Sequence, residues 1–157
     1  MYNTIVVPLD GSPLAEHALQ HAVGLAAALK SKLHLVRVYD IATTLTPGVM
    51  AAPAMDTGPV AGEIIEELAE TEAKEADEYL AAQARRLQEG GANVEYSVQR
   101  GPTVDVLAAL VEQLPAGLVV MSTRGQSGVK RFVFGSVADG LVRRVEIPVM
   151  IVPNTED

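Results

Sequence analysis

Cysteine and tryptophan are absent from the 157-residue sequence, and Lys and Arg together number only 12 against 20 Asp and Glu. Without cysteine the chain can form no disulfide, no thiolate nucleophile and no zinc–thiolate site. The net charge of −8 repels a polyanion over most of the surface, so nucleic acid is not an expected partner.

Long apolar runs are also missing. No stretch approaches the roughly 20 consecutive apolar residues that a membrane-spanning helix requires, so no membrane association is expected. The first residues, Met1-Tyr-Asn-Thr-Ile-Val-Val-Pro8, lack the basic flank and the apolar stretch of a signal peptide. We therefore expect a cytoplasmic protein, and the length predicts a single domain over residues 1–157.

Three signatures of common α/β enzymes are absent as well. The sequence contains no Gly-x4-Gly-Lys-Ser/Thr loop, no Gly-x-Gly-x-x-Gly after the first predicted strand and no Gly-x-Ser-x-Gly turn. P-loop NTPases, dinucleotide oxidoreductases and α/β-hydrolases each depend on one of these loops. The sequence therefore offers no strong catalyst of these three classes.

What is present is an alternation of short apolar strands and amphipathic helices. Ser12 suits the N-cap of the first helix and Pro13 its first position. The strands are joined by helices rather than hairpin turns, which implies parallel pairing. This order predicts an α/β fold: a doubly wound, five-stranded parallel sheet of order 3-2-1-4-5 with helices on both faces. The predicted strands are 4–9, 33–39, 92–98, 118–121 and 147–153, and the predicted helices are 14–29, 63–89, 103–114 and 136–144.

Residues 41–62 break the alternation. Pro47-Gly48, Pro53 and Gly58-Pro59 punctuate a segment without periodicity that is long for a connection in a compact domain. Two interpretations stay open, a mobile flap over a site and a tolerated disordered insertion.

The stretch around the fourth strand has the features of an anion site. An apolar strand over 118–121 is followed by Gly125, Gly128 and Gly135 and then by a helix start at Ser136. Glycines let main-chain N–H groups turn toward a ligand, and the first turn of a helix offers unpaired N–H groups. Arg124, Lys130 and Arg131 add positive charge, which for Arg131 is equally well explained as solvated surface. Phosphate is the natural ligand of such a loop.

Several of these residues resemble the universal stress protein family, and the resemblance covers nearly the whole chain. They are Val7-Pro-Leu-Asp-Gly-Ser12 at the end of the first strand, Arg37-Val38 in the second, and Ser122-Thr-Arg-Gly125 with nine residues to Gly135-Ser136. In the nucleotide-binding branch of that family the pattern is Gly-x2-Gly-x9-Gly-Ser/Thr. Its last two glycines match Gly125 and Gly135, whereas Ser122 stands at the first.

The resemblance implies a nucleotide-dependent stress-response switch or partner-docking protein that binds ATP with Mg2+ and hydrolyses it slowly at most. It places Asp10 and Val38 at the adenosine end, and Gly135, Ser136 and Val137 with Gly125 at the phosphates. No residue is assigned a catalytic or metal-ligating role. The candidate nucleotide-binding residues are Pro8, Leu9, Asp10, Val38, Met121, Ser122, Arg124, Gly125, Gly128, Gly135, Ser136 and Val137.

Ser122 is the feature that favours an alternative. A side chain at this position could crowd the ligand, and would cost about 1–2 kcal/mol if the backbone had to be left-handed. In an extended backbone the hydroxyl would be harmless. The alternative hypothesis is a dimeric interaction protein of the same family and fold that does not bind nucleotide.

The fifth strand predicts an assembly. In the order 3-2-1-4-5 it lies at an edge, and residues 147–152 are apolar at almost every position. Pro148 lacks an N–H and partly blunts this edge, but the residues after it can still pair. We expect a homodimer through the strand Ile147 to Val152, as the family resemblance also implies.

Overall fold

A computed structural model describes residues 1–44, 58–123 and 135–153. Strands and helices alternate along these ranges as predicted, apart from an additional four-residue helix, Ile41–Thr44. The elements are β1 Thr4–Pro8, α1 Pro13–Leu29, β2 Lys32–Tyr39, α2 Ile41–Thr44, α3 Gly58–Glu89, β3 Val94–Arg100, α4 Thr103–Gln113, β4 Ala116–Ser122, α5 Ser136–Val142 and β5 Val149–Val152.

The five strands form one parallel sheet in the order β3-β2-β1-β4-β5, which confirms the predicted fold. Since all strands point the same way, their carboxyl ends lie along one edge of the sheet. The chain runs from β1 outward to β2 and β3, and then returns across the sheet to β4 and β5. The point at which the strand order reverses therefore lies between β1 and β4.

Helices cover both faces of the sheet. α1 and α3 pack on one face, here called the α1/α3 face, and α4 and α5 pack on the other, the α4/α5 face. Because neighbouring strand residues point to opposite faces, β1 gives Ile5 and Val7 to the α1/α3 face and Val6 to the other. All three side chains are fully buried. Each contributes about 1.5–3 kcal/mol through removal from water, so the central strand anchors both layers.

The start of α1 has the predicted cap. The Oγ of Ser12 accepts a hydrogen bond from the N–H of Ala15 at 3.2 Å, and Pro13 is the first helical residue. The Oδ1 of Asp10 accepts from the N–H of Ser12 at 2.9 Å. Gly11 between them has φ +82°, a left-handed conformation that favours glycine. The turn from β1 into α1 is therefore shaped by its own side chains.

α3 begins earlier than predicted. It starts at Gly58 rather than at residue 63, so Gly58-Pro59 opens the helix instead of preceding it. Proline is tolerated in the first turn because the first N–H groups of a helix have no intrahelical partner. The segment 41–62, predicted as a flap or an insertion, is thus helical at its two ends, over 41–44 in α2 and from Gly58 onward in α3. Residues 45–57 lie outside the described residues, and their role stays a prediction.

Two strands also begin later than predicted. β3 starts at Val94 because the N–H of Ala92 still closes the end of α3, donating to the carbonyl of Leu87 at 3.0 Å. β5 starts at Val149, directly after Pro148. The shifts change the bounds but not the order of the elements.

Candidate functional site

β1 and β4 separate toward their carboxyl ends. Their pairing stops at Val6 and Val119. Beyond that point the end of β1 pairs with β2, and the end of β4 pairs with β5. A crevice therefore opens between the ends of the two central strands, at the point where the strand order reverses. Open parallel α/β sheets bind their ligands in this place.

Just beyond β1 and β4, backbone hydrogen bonds still join each segment to its outer neighbouring strand and not to the other segment. The N–H of Leu9 donates to the carbonyl of Val36 at 2.8 Å, on the β2 side. The N–H of Thr123 donates to the carbonyl of Val152 at 3.2 Å, on the β5 side. The backbone on each side of the crevice is thus hydrogen-bonded to its outer neighbouring strand.

Most of the apolar candidates lie on the α4/α5 face of this crevice. Met121 is buried in the core of that face, and Val38 and Val137 pack against the same core. Pro8 is half-buried at the end of β1. Leu9, in contrast, turns its side chain into the core of the α1/α3 face, so only its backbone is available to a ligand. The structure thus brings β1, β2, β4 and α5 together around one crevice.

The polar candidates follow the strand ends. Asp10 is exposed directly after β1, and Ser136 is exposed as the first residue of α5. Gly135, the N-cap of α5, has φ −54° and ψ 153°, which any residue can adopt. Glycine is therefore not required here by the backbone.

Ser122 is the last residue of β4 and pairs in register with Val152 of β5. Its backbone is extended, and Lys30 is the one non-glycine residue with positive φ among those described. The left-handed conformation that would penalise serine at this position is thus not adopted. Ser122 is half-buried.

The remaining candidates of the loop, Arg124, Gly125 and Gly128, lie outside the described residues, as do Lys130 and Arg131. Within 1–44, 58–123 and 135–153, no three His, Asp or Glu side chains are grouped so that they could hold a metal ion.

A polar cluster on the α1/α3 face was missed by the sequence analysis. The guanidinium of Arg37 lies over the ring of Tyr79, with Cζ 5.5 Å from the ring centroid. The hydroxyl of Tyr79 and the Nε2 of Gln83 each donate to Oε1 of Glu16 at 3.2 Å. Burial, followed by the nearby Glu16 carboxylate, raises the pKa of the Tyr79 hydroxyl, which therefore stays protonated as a donor. The partners are more than 60 residues apart in sequence, and no local pattern signals their contact.

His34 is a packed histidine on β2. It is 7% exposed, and its Nε2 lies 2.9 Å from the Oγ of Ser97 on the neighbouring strand. Burial lowers its pKa, and the adjacent Lys32 acts in the same direction while Glu95 opposes it. His34 lies near the beginning of β2, away from the carboxyl end of that strand. It therefore belongs to the core rather than to the crevice.

Comparison with known proteins identifies the group to which these features belong. The model of the universal stress protein family matches residues 1–153. The chain belongs to the universal stress protein family. A relative within it is the universal stress protein MJ0531 of Methanocaldococcus jannaschii, 28% identical over 152 residues, which are 97% of this chain and 82% of that protein.

Solved structures agree with the fold. The hypothetical protein MJ0577 superposes with a TM-score of 0.79 at 21% identity, covering 100% of this chain and 99% of that one. A universal stress protein in complex with cAMP has a TM-score of 0.59 at 28% identity and covers 97% of both chains. Among the described residues, no helix combines the length and the apolar character needed to cross a membrane.

Proposed function

We propose that this universal stress protein binds ATP with Mg2+ in the crevice between β1 and β4, as a nucleotide-dependent switch or partner-docking protein in the stress response. The observation that carries the proposal is the separation of β1 and β4 beyond Val6 and Val119. It leaves an open crevice at the switch point of the sheet, where ligands of this architecture bind. The cAMP complex of the 28%-identical relative supports an adenine nucleotide as the ligand.

The donor and acceptor groups around the crevice fit such a ligand. The Asp10 carboxylate is suited to accept from ribose hydroxyls, and the backbone of Val38 to bond the adenine edge. Half-buried Pro8 offers an apolar surface to the face of a base, and Met121, whose side chain is buried in the core, belongs to the proposed set through its backbone. Ser136 and the space beside Gly135 lie at the opposite end, where the family pattern places the phosphates. The proposed ligand set also includes Leu9, Ser122, Val137 and the loop residues Arg124, Gly125 and Gly128.

Mg2+ enters this proposal with the nucleotide. Magnesium keeps several waters and is commonly held by substrate phosphates with one or two protein groups, so it needs no dedicated protein cage. Of the candidate residues, Asp10 is the carboxylate placed at the crevice. Rapid phosphoryl transfer requires a positioned base and several charge-stabilising groups, and we propose slow hydrolysis at most. The protein would act in the cytoplasm as one domain spanning residues 1–157.

We further propose that the protein is a homodimer through β5. Met150 is 36% exposed, and Val149 and Ile151 are half-buried at this edge of the sheet. The carbonyl of Pro148 accepts from the N–H of Val119 at 3.0 Å, so the missing N–H of this proline faces β4 and not the open edge. Proline therefore blunts the edge less than expected from sequence. Alternation then directs the backbone groups of Val149 and Ile151 outward, where a second β5 can pair with them.

Isothermal titration calorimetry of the purified protein tests the nucleotide proposal. In the presence of MgCl2 we expect ATP to bind with a Kd of about 1–10 µM, since backbone N–H groups supply several charge-assisted hydrogen bonds. GTP is the matched control, because it carries the same phosphates on a different base. No heat from ATP at a hundredfold higher concentration would contradict the proposal and favour the alternative, an interaction protein without nucleotide.

A further inference from the structure

Arg37 lies directly against the turn that follows β1. A Cβ placed on Gly11 would be 3.5 Å from Nη1 of Arg37, which is ordinary van der Waals contact. The guanidinium is therefore packed against the backbone of this turn, and the φ of +82° rather than the room for Arg37 is what favours glycine at position 11. On its other side the same group lies over the ring of Tyr79, 5.5 Å from the centroid, within the range of a cation–π contact.

Tyr79 in turn connects α3 to the first turn of α1. Its hydroxyl donates to Oε1 of Glu16, and Gln83, one turn further along α3, donates to the same oxygen. Arg37, Tyr79, Glu16 and Gln83 are all half-buried, so water screens these contacts less than it would on the open surface. One continuous set of contacts thus joins α3 to Arg37 on β2, to Gly11 in the turn and to Glu16 in the first turn of α1.

The positive charge of Arg37 offsets negative charge in this cluster. The carboxylates of Asp10 and Glu16 both act on the Tyr79 hydroxyl, and the positive charge of Arg37 opposes them. Removal of Arg37 therefore takes away a positive charge that offsets the two carboxylates at the Tyr79 hydroxyl, as well as the contact with the turn at Gly11.

Arg37 does not itself face the crevice. Its side chain lies on the α1/α3 face with Tyr79, whereas that of its neighbour Val38 packs on the α4/α5 face. Any effect of Arg37 on a ligand must therefore pass through the turn.

We propose that Arg37 and Tyr79 are positioning residues for the nucleotide, an inference that rests on the proposed function. They hold the turn Asp10-Gly11-Ser12 in the shape that presents the Asp10 carboxylate to the crevice, and they tie that shape to helix α3. By linkage, a nucleotide that requires the ordered turn also stabilises the contact between the turn and α3.

The first test needs no nucleotide. NMR-detected exchange of the Ser12 and Ala15 amides reports the order of the turn, because these N–H groups donate to Asp10 Oδ1 and Ser12 Oγ. We expect Arg37→Met to accelerate both exchange rates at least about threefold, a change well within one lost cation–π contact. Arg85→Met, which removes an exposed arginine from α3, should leave them unchanged. Equal rates in Arg37→Met and wild type would overturn the inference.

The second test measures ATP affinity by calorimetry. We expect Arg37→Met to weaken binding about tenfold, Arg37→Lys to recover part of the loss because lysine keeps the charge over the ring, and Arg85→Met to bind like wild type. Undiminished affinity in Arg37→Met would overturn the positioning role while leaving the proposed function intact. Failure of the wild type to bind ATP would overturn the proposed function, and the exchange rates would still decide whether Arg37 orders the turn.

Discussion

The two faces of the sheet are built differently, and the difference separates support from binding. On the α1/α3 face, helices of 17 and 32 residues cover the strands, and Arg37 and Tyr79 fill the space beneath the β1–α1 turn. On the α4/α5 face, helices of 11 and 7 residues cover the strands. There Val38 and Met121 lie beside the crevice. We infer that the first face holds the turn in place and that the second receives the ligand.

The largest expected effect is on the α4/α5 face, at Gly135. Gly135→Val places a β-branched side chain in the proposed phosphate position, and we expect it to abolish ATP binding in calorimetry. The backbone at φ −54° accepts valine, so the fold should survive. Gly24→Val is the matched control, because a Cβ at Gly24 meets nothing within 4 Å. ATP affinity equal to that of wild type in Gly135→Val would contradict the assignment of this face.

The next effect concerns the edge of the sheet. Ile151→Asp should convert the proposed dimer into monomers at tens of micromolar, because a carboxylate in an apolar interface is unpaired and costs several kcal/mol. Leu29→Asp, which alters an exposed apolar residue at the end of α1, should leave the dimer intact. Analytical ultracentrifugation distinguishes the two species. A wild-type protein that is monomeric at these concentrations would remove β5 as an interface.

Asp10 lies directly after β1, and its Oδ1 accepts from the N–H of Ser12 in the turn before α1. Asp10→Ala should weaken ATP binding roughly tenfold, through loss of a charged hydrogen-bond acceptor and of the bond to the Ser12 N–H. Asp77→Ala, an exposed carboxylate on α3, is the matched control in the same titration. If both variants bind ATP equally well, Asp10 does not contact the nucleotide.

The smallest effect is on stability and arises from His34. Burial lowers its pKa below the ordinary value of 6.5, so the unfolded chain binds the proton more readily than the folded one. The contribution of neutral His34 is therefore complete above pH 6.5 and is lost as the pH falls below it, by at most about 1.4 kcal/mol per pH unit.

Urea unfolding between pH 7 and pH 5 measures this loss. The free energy of unfolding should fall more steeply with acidification in the wild type than in His34→Gln. His21→Gln, which changes an exposed histidine on α1, should keep the wild-type slope. Parallel pH profiles for wild type and His34→Gln would show that burial of His34 has no consequence for stability.

Local patterns were sufficient for the fold. Apolar β-branched runs placed β1 and β4, and Ser12 with Pro13 placed the start of α1, because capping and strand burial depend on neighbouring residues. The predicted start of α3 is too late because Gly58-Pro59 has the composition of a loop, whereas proline in the first turn is compatible with a helix.

The candidate site could likewise be predicted from sequence only in part. Its strand-end residues were found from sequence because parallel strands deliver their ends to one edge. The contact between Arg37 and Tyr79 was not found, since it depends on how a 32-residue helix crosses β2 and leaves no periodic signal. The extended backbone of Ser122 also required the structure, because serine is compatible with both a strand and a tight turn. Long-range packing thus supplied what local chemistry could not.

The most direct test of the central claim is the nucleotide content of the protein purified from cells without added ligand. The protein is denatured by heat, and the released small molecules are separated by ion-exchange chromatography and identified by mass. We predict an adenine nucleotide in the wild-type preparation and a strongly reduced amount in Gly135→Val, with Gly24→Val matching the wild type. Absence of any nucleotide from the wild type, together with no binding of added ATP, would contradict the account.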